Sequence, residues 1–238
     1  VNVNLGSQLN ANNGNIRFSN INDGGTITVS GKGNVGTNPV GEISFGKVGG
    51  TPNTVTMNVN QAIGSVTGFG TTVTVQTTTG DLKVGPFTSS AVTKFTANGV
   101  GADIITSGNI DSGAGNLTLQ AGSGADADVK LNNNVTTTST LAINSGAGAG
   151  SDVTLAANVN VSGGVTKVTT PLLAAGANST LRSTSGDLDL QSNAGTLTVN
   201  LAAGSTLSAD AGNVGFNRTT AGAITMTGGL GTLQSGGA

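Results

Sequence analysis

Three observations predict an all-β chain whose strands are laid coil upon coil. A short phrase recurs, charge is almost absent, and no apolar stripe has a helical period. The phrase is Gly-x-Φ-x-Φ, with Φ a large apolar residue. It starts at Gly14 (GNIRF), Gly25 (GTITV), Gly41 (GEISF), Gly80 (GDLKV), Gly115 (GNLTL), Gly186 (GDLDL), Gly195 (GTLTV), Gly212 (GNVGF) and Gly222 (GAITM). Each copy reads as a turn residue opening a strand with one apolar face. Two or three apolar residues cannot bury themselves, but many such stripes stacked in register can. The expected fold is a right-handed parallel β-helix, a β-solenoid of about 24 residues per turn, with the handedness taken from the rule for parallel crossovers.

Taken in order, the chain opens on VNVNL, already in strand alternation and without an initiator Met, and reads as an excised part of a longer precursor. Residues 31–70 hold Pro39, Pro52 and closely spaced glycines without alternation, so longer loops are expected there. The clearest repeat follows: residues 117–140 align without gaps on 141–164, matching Leu117 with Leu141, Asp128 with Asp152, Val129 with Val153, Leu131 with Leu155 and Val135 with Val159. Strand starts fall at Leu117, Val129, Leu141 and Val153, which gives the turn length and two or three short strands per turn. Pro171 should interrupt or edge a strand within 168–180. The final stretch, 229–238, reads as a frayed rung or linker, and the whole of 1–238 as one domain. Inward positions are expected to be Val, Leu, Ile, Ala and Phe, and outward ones Thr, Asn, Ser and the rare charges.

Composition excludes much chemistry. Charged residues make up 8% of the chain, against about 25% in ordinary domains. Glu occurs once, at Glu42, and strong helix formers other than Ala and Leu are scarce. Disorder does not fit either, because net charge is only −2 and branched apolar residues recur at strand spacing. With no Cys and no His there are no disulfides, no thiolate sites, no Ser-His-Asp triad and none of the commonest zinc ligand. With neither Trp nor Tyr, nor a long apolar run, no membrane-spanning segment is expected. Nine Lys plus Arg at a pI near 4.8 leave no stripe for nucleic acid. The same composition suits a protein exported unfolded across a membrane.

The phrases GNLTLQAGSGAD, GDLDLQSNAG and SDVTLAANVNVSGG resemble the repeats of filamentous-haemagglutinin-type exoproteins and other secreted bacterial β-helix adhesins, over most of 100–238. The resemblance implies a secreted or cell-surface protein of a Gram-negative bacterium. The family's secretion domain carries an Asn-Pro-Asn-Gly motif. Here Asn38-Pro39-Val40-Gly41 lacks the second Asn, so no secretion domain is assigned.

The candidate carboxylates are Asp126 with Asp128, Asp152, and Asp187 with Asp189. An i, i+2 pair on a strand places both groups on one face about 6–7 Å apart, near the separation used by glycosidases. Against this, turn Asp is commonly an Asx device, and sugar-stacking aromatics and Arg clusters are missing. AGSGADADV (121–129) approaches the calcium nonapeptide, but Asp128 occupies its apolar slot and no tandem copy follows. The Thr-x-Thr pairs Thr26/Thr28, Thr54/Thr56 and Thr72/Thr74 suggest a flat ice-binding face, yet their unequal sequence intervals argue against an ordered array. Asn2/Asn4, Asn58/Asn60, Asn132 to Asn134 and Asn158/Asn160 are expected as stacked amide ladders. Phe18, Phe45, Phe69, Phe87, Phe95 and Phe216 are expected in the core.

Accordingly no catalytic, cofactor or metal residue is assigned, and no enzyme activity. The expected function is that of a structural extracellular rod, part of an adhesin or a self-assembling surface filament. Its partners would be further copies stacked end to end or the continuation of a longer rod, and a host or matrix glycan or protein receptor. The alternative is a carbohydrate-binding or polysaccharide-degrading β-helix.

Overall fold

The computed structural model describes residues 1–11, 14–19, 25–37, 41–46, 54–218, 221–229 and 231–236. Among them there is no helix, and every strand pairing is parallel. The strands stack as a β-solenoid of about 9 turns, about 25 residues each. At a rung separation of about 4.8 Å the stack is roughly 40 Å long.

Three sheets form the walls. The long wall has ten strands in chain order from Asn2–Val3, through Thr26–Gly31, Thr54–Val59, Val73–Thr77, Thr93–Ala97, Leu117–Gln120, Thr140–Asn144, Val165–Thr169 and Leu188–Ser192, to Val214–Arg218. A second wall of sixteen strands begins at Ile16–Phe18 and forks at Leu82–Ser89. The first half of that strand leads through Ile104–Thr106 to Ile224–Gly228, and the second through Ile110–Asp111 to Thr232–Ser235. The fork follows from Gly85–Pro86, where the register slips between Val84 and Phe87. Pro cannot donate to a ladder and is tolerated in a sheet at such a bulge. A small third wall, Gln8–Ala11, Asn34–Thr37 and Gln61–Ile63, serves only the first turns.

Each Gly-x-Φ-x-Φ phrase opens one of these strands, and its apolar residues form columns running along the axis. One column is Val29, Met57, Val75, Phe95, Leu119, Ile143, Val168, Leu190 and Phe216. In the second wall Leu82, Ile104, Val129, Val153, Leu173, Val199 and Met226 form another. Members from Val29 to Leu190 and from Leu82 to Val199 are buried. Phe18 stacks on Phe45 at 5.2 Å, and Phe87 meets Phe95 edge-on at 5.4 Å. Phe216, at the end of its column, is half-buried against the core, and Phe69 differs from all the other rings. It is half-buried on the outer surface, where a Cβ on Gly46 would lie 2.9 Å from its ring.

The 117–140 repeat lies on 141–164 as aligned for Leu117 and Leu141, and for Val129 and Val153. Beyond Leu155 the alignment fails, because Val135 pairs with Val161, not Val159. The turn Ala156–Ala157–Asn158 is longer than its counterpart after Leu131, with Asn158 in the left-handed region at φ 61. Turn length therefore varies from rung to rung: Thr78 bonds back 18 residues to Asn60, and Arg182 reaches Asp210 across 28.

Within 31–70 the described residues form five strands, with single residues Asn60 and Gly64 separating three of them. Pro39 and Pro52 lie outside the described residues, as do Asn38 and Val40 of the secretion-motif comparison. Pro171 sits between two strands, its carbonyl accepting the Thr198 N–H at 2.9 Å. In the last stretch Thr232–Ser235 pairs with Thr206–Ala209.

The interior is less purely apolar than strand alternation suggests. Thr77, Thr137, Ser179, Ser183, Ser192 and Ser205 are buried, and each donates its hydroxyl to a backbone carbonyl, at Gly80, Gly115, Gly176, Gly164, Thr196 and Ala202 respectively. At a corner the chain leaves the sheet, its carbonyls lose their ladder partners, and a short hydroxyl satisfies them locally.

Candidate functional site

Two of the candidate carboxylates, Asp128 and Asp152, fall on a feature that sequence reading missed, a ladder of aspartates crossing four turns. The Asp103 N–H donates to Asp81 Oδ1 at 2.9 Å, Asp128 N–H to Asp103 Oδ1 at 2.9 Å, and Asp152 N–H to Asp128 Oδ1 at 2.8 Å. Asp81, Asp103 and Asp128 each stand just before a strand of the second wall, and Asp152 is the first residue of one. The side-chain oxygen of each of the first three takes the N–H that a backbone carbonyl would take inside the sheet. A shorter ladder runs beside it: Asn134 N–H donates to Asn109 Oδ1 at 3.2 Å and Asn160 N–H to Asn134 Oδ1 at 2.8 Å. The device recurs where Asn213 N–H donates to Asp187 Oδ1 at 2.8 Å and Glu42 N–H to Asn15 Oδ1 at 3.0 Å.

A sequence signal for this existed. The residue after the phrase-opening glycine is Asx in GNIRF, GDLKV, GNLTL, GDLDL and GNVGF, and Asn15, Asp81, Asn116 and Asp187 each accept an N–H from the following turn. Stacked side-chain amides occur as well, Asn60 Nδ2 on Asn34 Oδ1 at 2.9 Å and Asn178 Nδ2 on Asn158 Oδ1 at 3.4 Å. Asn134 and Asn160, by contrast, join through the backbone.

Lys130 bridges the middle of the aspartate ladder, contacting Asp103 and lying 3.2 Å from Asp128. Burial lowers its ammonium, but the hydrogen bonds and charges of Asp103 and Asp128 outweigh that and raise its pKa. Asp152 lies at the end of the ladder without such a cation. Burial first, then the charges of Asp128 and Asp126, raise its pKa, with Lys130 opposing. Asp126 itself occupies a turn at φ 59.

A raised acid pKa in the fold means that Asp152 favours folding when protonated. That contribution is complete below the ordinary carboxylate value and is lost as pH rises through the folded one. Asp152→Asn is therefore expected to raise the melting temperature at neutral pH by on the order of 1 °C. The gain should shrink toward zero in acid, where the wild type is itself neutral. A melting series across pH checks this, and a gain that grew on acidification would contradict it.

Of the candidate acids, two are engaged in holding the structure. Asp128 holds both a backbone N–H and Lys130, and Asp187 holds Asn213. Asp189 stands beside Lys167 in the long wall. Among the described residues no group of three or more His, Cys, Asp and Glu is placed to hold a metal ion. An open groove of about 380 Å³ crosses four turns along Thr154, Ala174, Asn200 and Thr227, with Leu155, Leu201 and small residues in its floor and no charged group in its lining. No described helix is long and apolar enough to cross a membrane.

The geometry defines the chain as a parallel β-solenoid. No protein-family pattern, characterised protein or solved structure matches it, so the wall and column architecture carries the functional argument.

Proposed function

We propose that the chain is a stiff structural rod within an extracellular bacterial surface protein, an adhesin or filament of the filamentous-haemagglutinin type. The supporting observation is the direction of its bonding. Hydrogen bonds of all three walls run along one axis, and the apolar columns run parallel to them. A load along that axis passes from rung to rung and is shared at each interface by the hydrogen bonds of the walls. The outermost described turn leaves Ile224, Met226 and Leu233 exposed in line with the buried Leu197, Val199 and Leu207. In this reading another coil, of the same polypeptide or of a second copy, lies on them.

Electron microscopy of the purified chain tests the proposal. Straight particles of uniform width are expected: filaments lengthening with concentration mean self-assembly, and short rods mean a spacer. Compact globular particles would overturn it. Sugar released from a polysaccharide, abolished by Asp187→Ala with Asp189→Ala, would establish the degrading β-helix instead.

A further inference from the structure

The Thr-x-Thr pairs, unequally spaced in sequence, stand side by side in the long wall. Thr26 pairs with Thr54 and Thr28 with Thr56. Thr74 pairs with Thr56, and Thr72 directly precedes the Val73–Val55 pair. The unequal intervals reflect turns of different length, so the objection drawn from sequence spacing does not hold. Residues between the threonines, Ile27, Val55 and Val73, point inward and are buried, which turns the Thr side chains outward in two columns of three. Alongside runs a third uncharged column, Ser30, Asn58 and Gln76.

Strand propensity does not account for the array. Thr is favoured on any pleated surface, yet the pairs stop at the next turn, where Lys94 stands beside Thr74. Farther along the same column come Thr118, Ala142, Lys167 and Asp189. Five of the six threonines are also unspent: the hydroxyls of Thr28, Thr54, Thr56, Thr72 and Thr74 make no hydrogen bond among the described residues, whereas Thr26 is engaged. β-Branching stiffens χ1, so these hydroxyls and methyls are held in order before anything binds.

Rungs repeat at about 4.8 Å and alternate residues along a strand at about 6.5–7 Å. The side chains of this surface are uncharged and periodic in two directions, which suits a ligand that is itself a two-dimensional lattice of oxygen atoms. The Val1 ammonium borders the surface, donating to the Thr28 carbonyl at 2.8 Å. We propose that this face binds ice. The inference goes beyond the structural-rod reading and does not depend on it.

The test is ice-crystal morphology and freezing hysteresis of the purified chain, with recrystallisation as a second readout. Wild-type protein is expected to facet ice crystals and open a hysteresis gap. Thr56→Lys, at the centre of the array, should reduce the gap at least tenfold, whereas Thr118→Lys, on the same wall outside the array, should leave it. Circular dichroism and melting of both variants separate loss of the face from loss of the fold. Unfaceted crystals with the wild type, or equal activity in Thr56→Lys and Thr118→Lys, would overturn the proposal.

Discussion

Gly115→Ala is expected to destabilise the rod by about 3 kcal/mol or more, the upper range for forcing atoms into a packed interior. Gly115 opens one of the nine phrases, and the cause is proximity to the neighbouring turn. A Cβ at this position would lie 1.7 Å from the Ala91 carbonyl oxygen and 2.1 Å from its carbon. Both are backbone atoms, so no rotamer change relieves the overlap and the two turns must part. Parting them strains the Thr93 N–H bond to the Asn116 carbonyl at 2.8 Å, and pushing Gly115 toward the following turn disturbs the Thr137 hydroxyl bond to its carbonyl at 2.6 Å. For a chain of this size such a loss lowers the melting temperature by roughly 10 °C. The internal control is Gly14→Ala. Gly14 opens the same kind of phrase, but a Cβ there meets nothing within 4 Å among the described residues, and a change within about 0.5 kcal/mol is expected. Equal melting temperatures for the two variants would show that the neighbouring turn does not enforce glycine.

The contrast between these two glycines also marks where sequence reading stops. Within a strand the period of two is local, so Leu117, Leu119, Ile143 and the others could be assigned to the interior without knowing their neighbours. Columns along the axis are different, because they depend on how many residues each turn takes to come round. That number is set at corners such as Ala156–Ala157–Asn158, whose left-handed Asn158 adds length without disturbing the walls. The alignment of Val135 with Val159 failed at that corner. The Asp81, Asp103, Asp128 and Asp152 ladder and the threonine array stayed hidden for the same reason, being regular in space and irregular in number. Corners also explain the buried hydroxyls: where alternation ends, Ser183 and Thr137 turn inward to bond Gly164 and Gly115. Of the candidate carboxylates, only Asp187, next to the glycine of its phrase, had a position that signalled its role. The role of Asp128 followed from the N–H that its side chain met across the turn, that of Asp152.

Ile143→Asp is expected to divide the rod into two separately melting parts. Ile143 is fully buried, stacked between Leu119 and Val168 in the longest apolar column. An unpaired carboxylate there has no cation in reach along the column, and burying it costs several kcal/mol. In a globular core such a loss would unfold the whole domain. In a solenoid each turn touches only its neighbours, so stability is close to a sum of turn and interface contributions. The damage should therefore centre on the Thr140–Asn144 rung and the turns on either side. The turns before Leu117 and after Leu188 would keep their own columns and hydrogen-bond ladders. Calorimetry should show one transition in the wild type become two in the variant. Limited proteolysis should cut first near residues 140–145 and leave protected fragments from both sides. Hydrogen exchange should accelerate most in the strands paired with Thr140–Asn144 and least at Thr54–Val59. A single transition shifted as a whole, with exchange raised evenly along the chain, would mean that the turns fold as one unit and that nearest-neighbour stacking is the wrong description of what holds them.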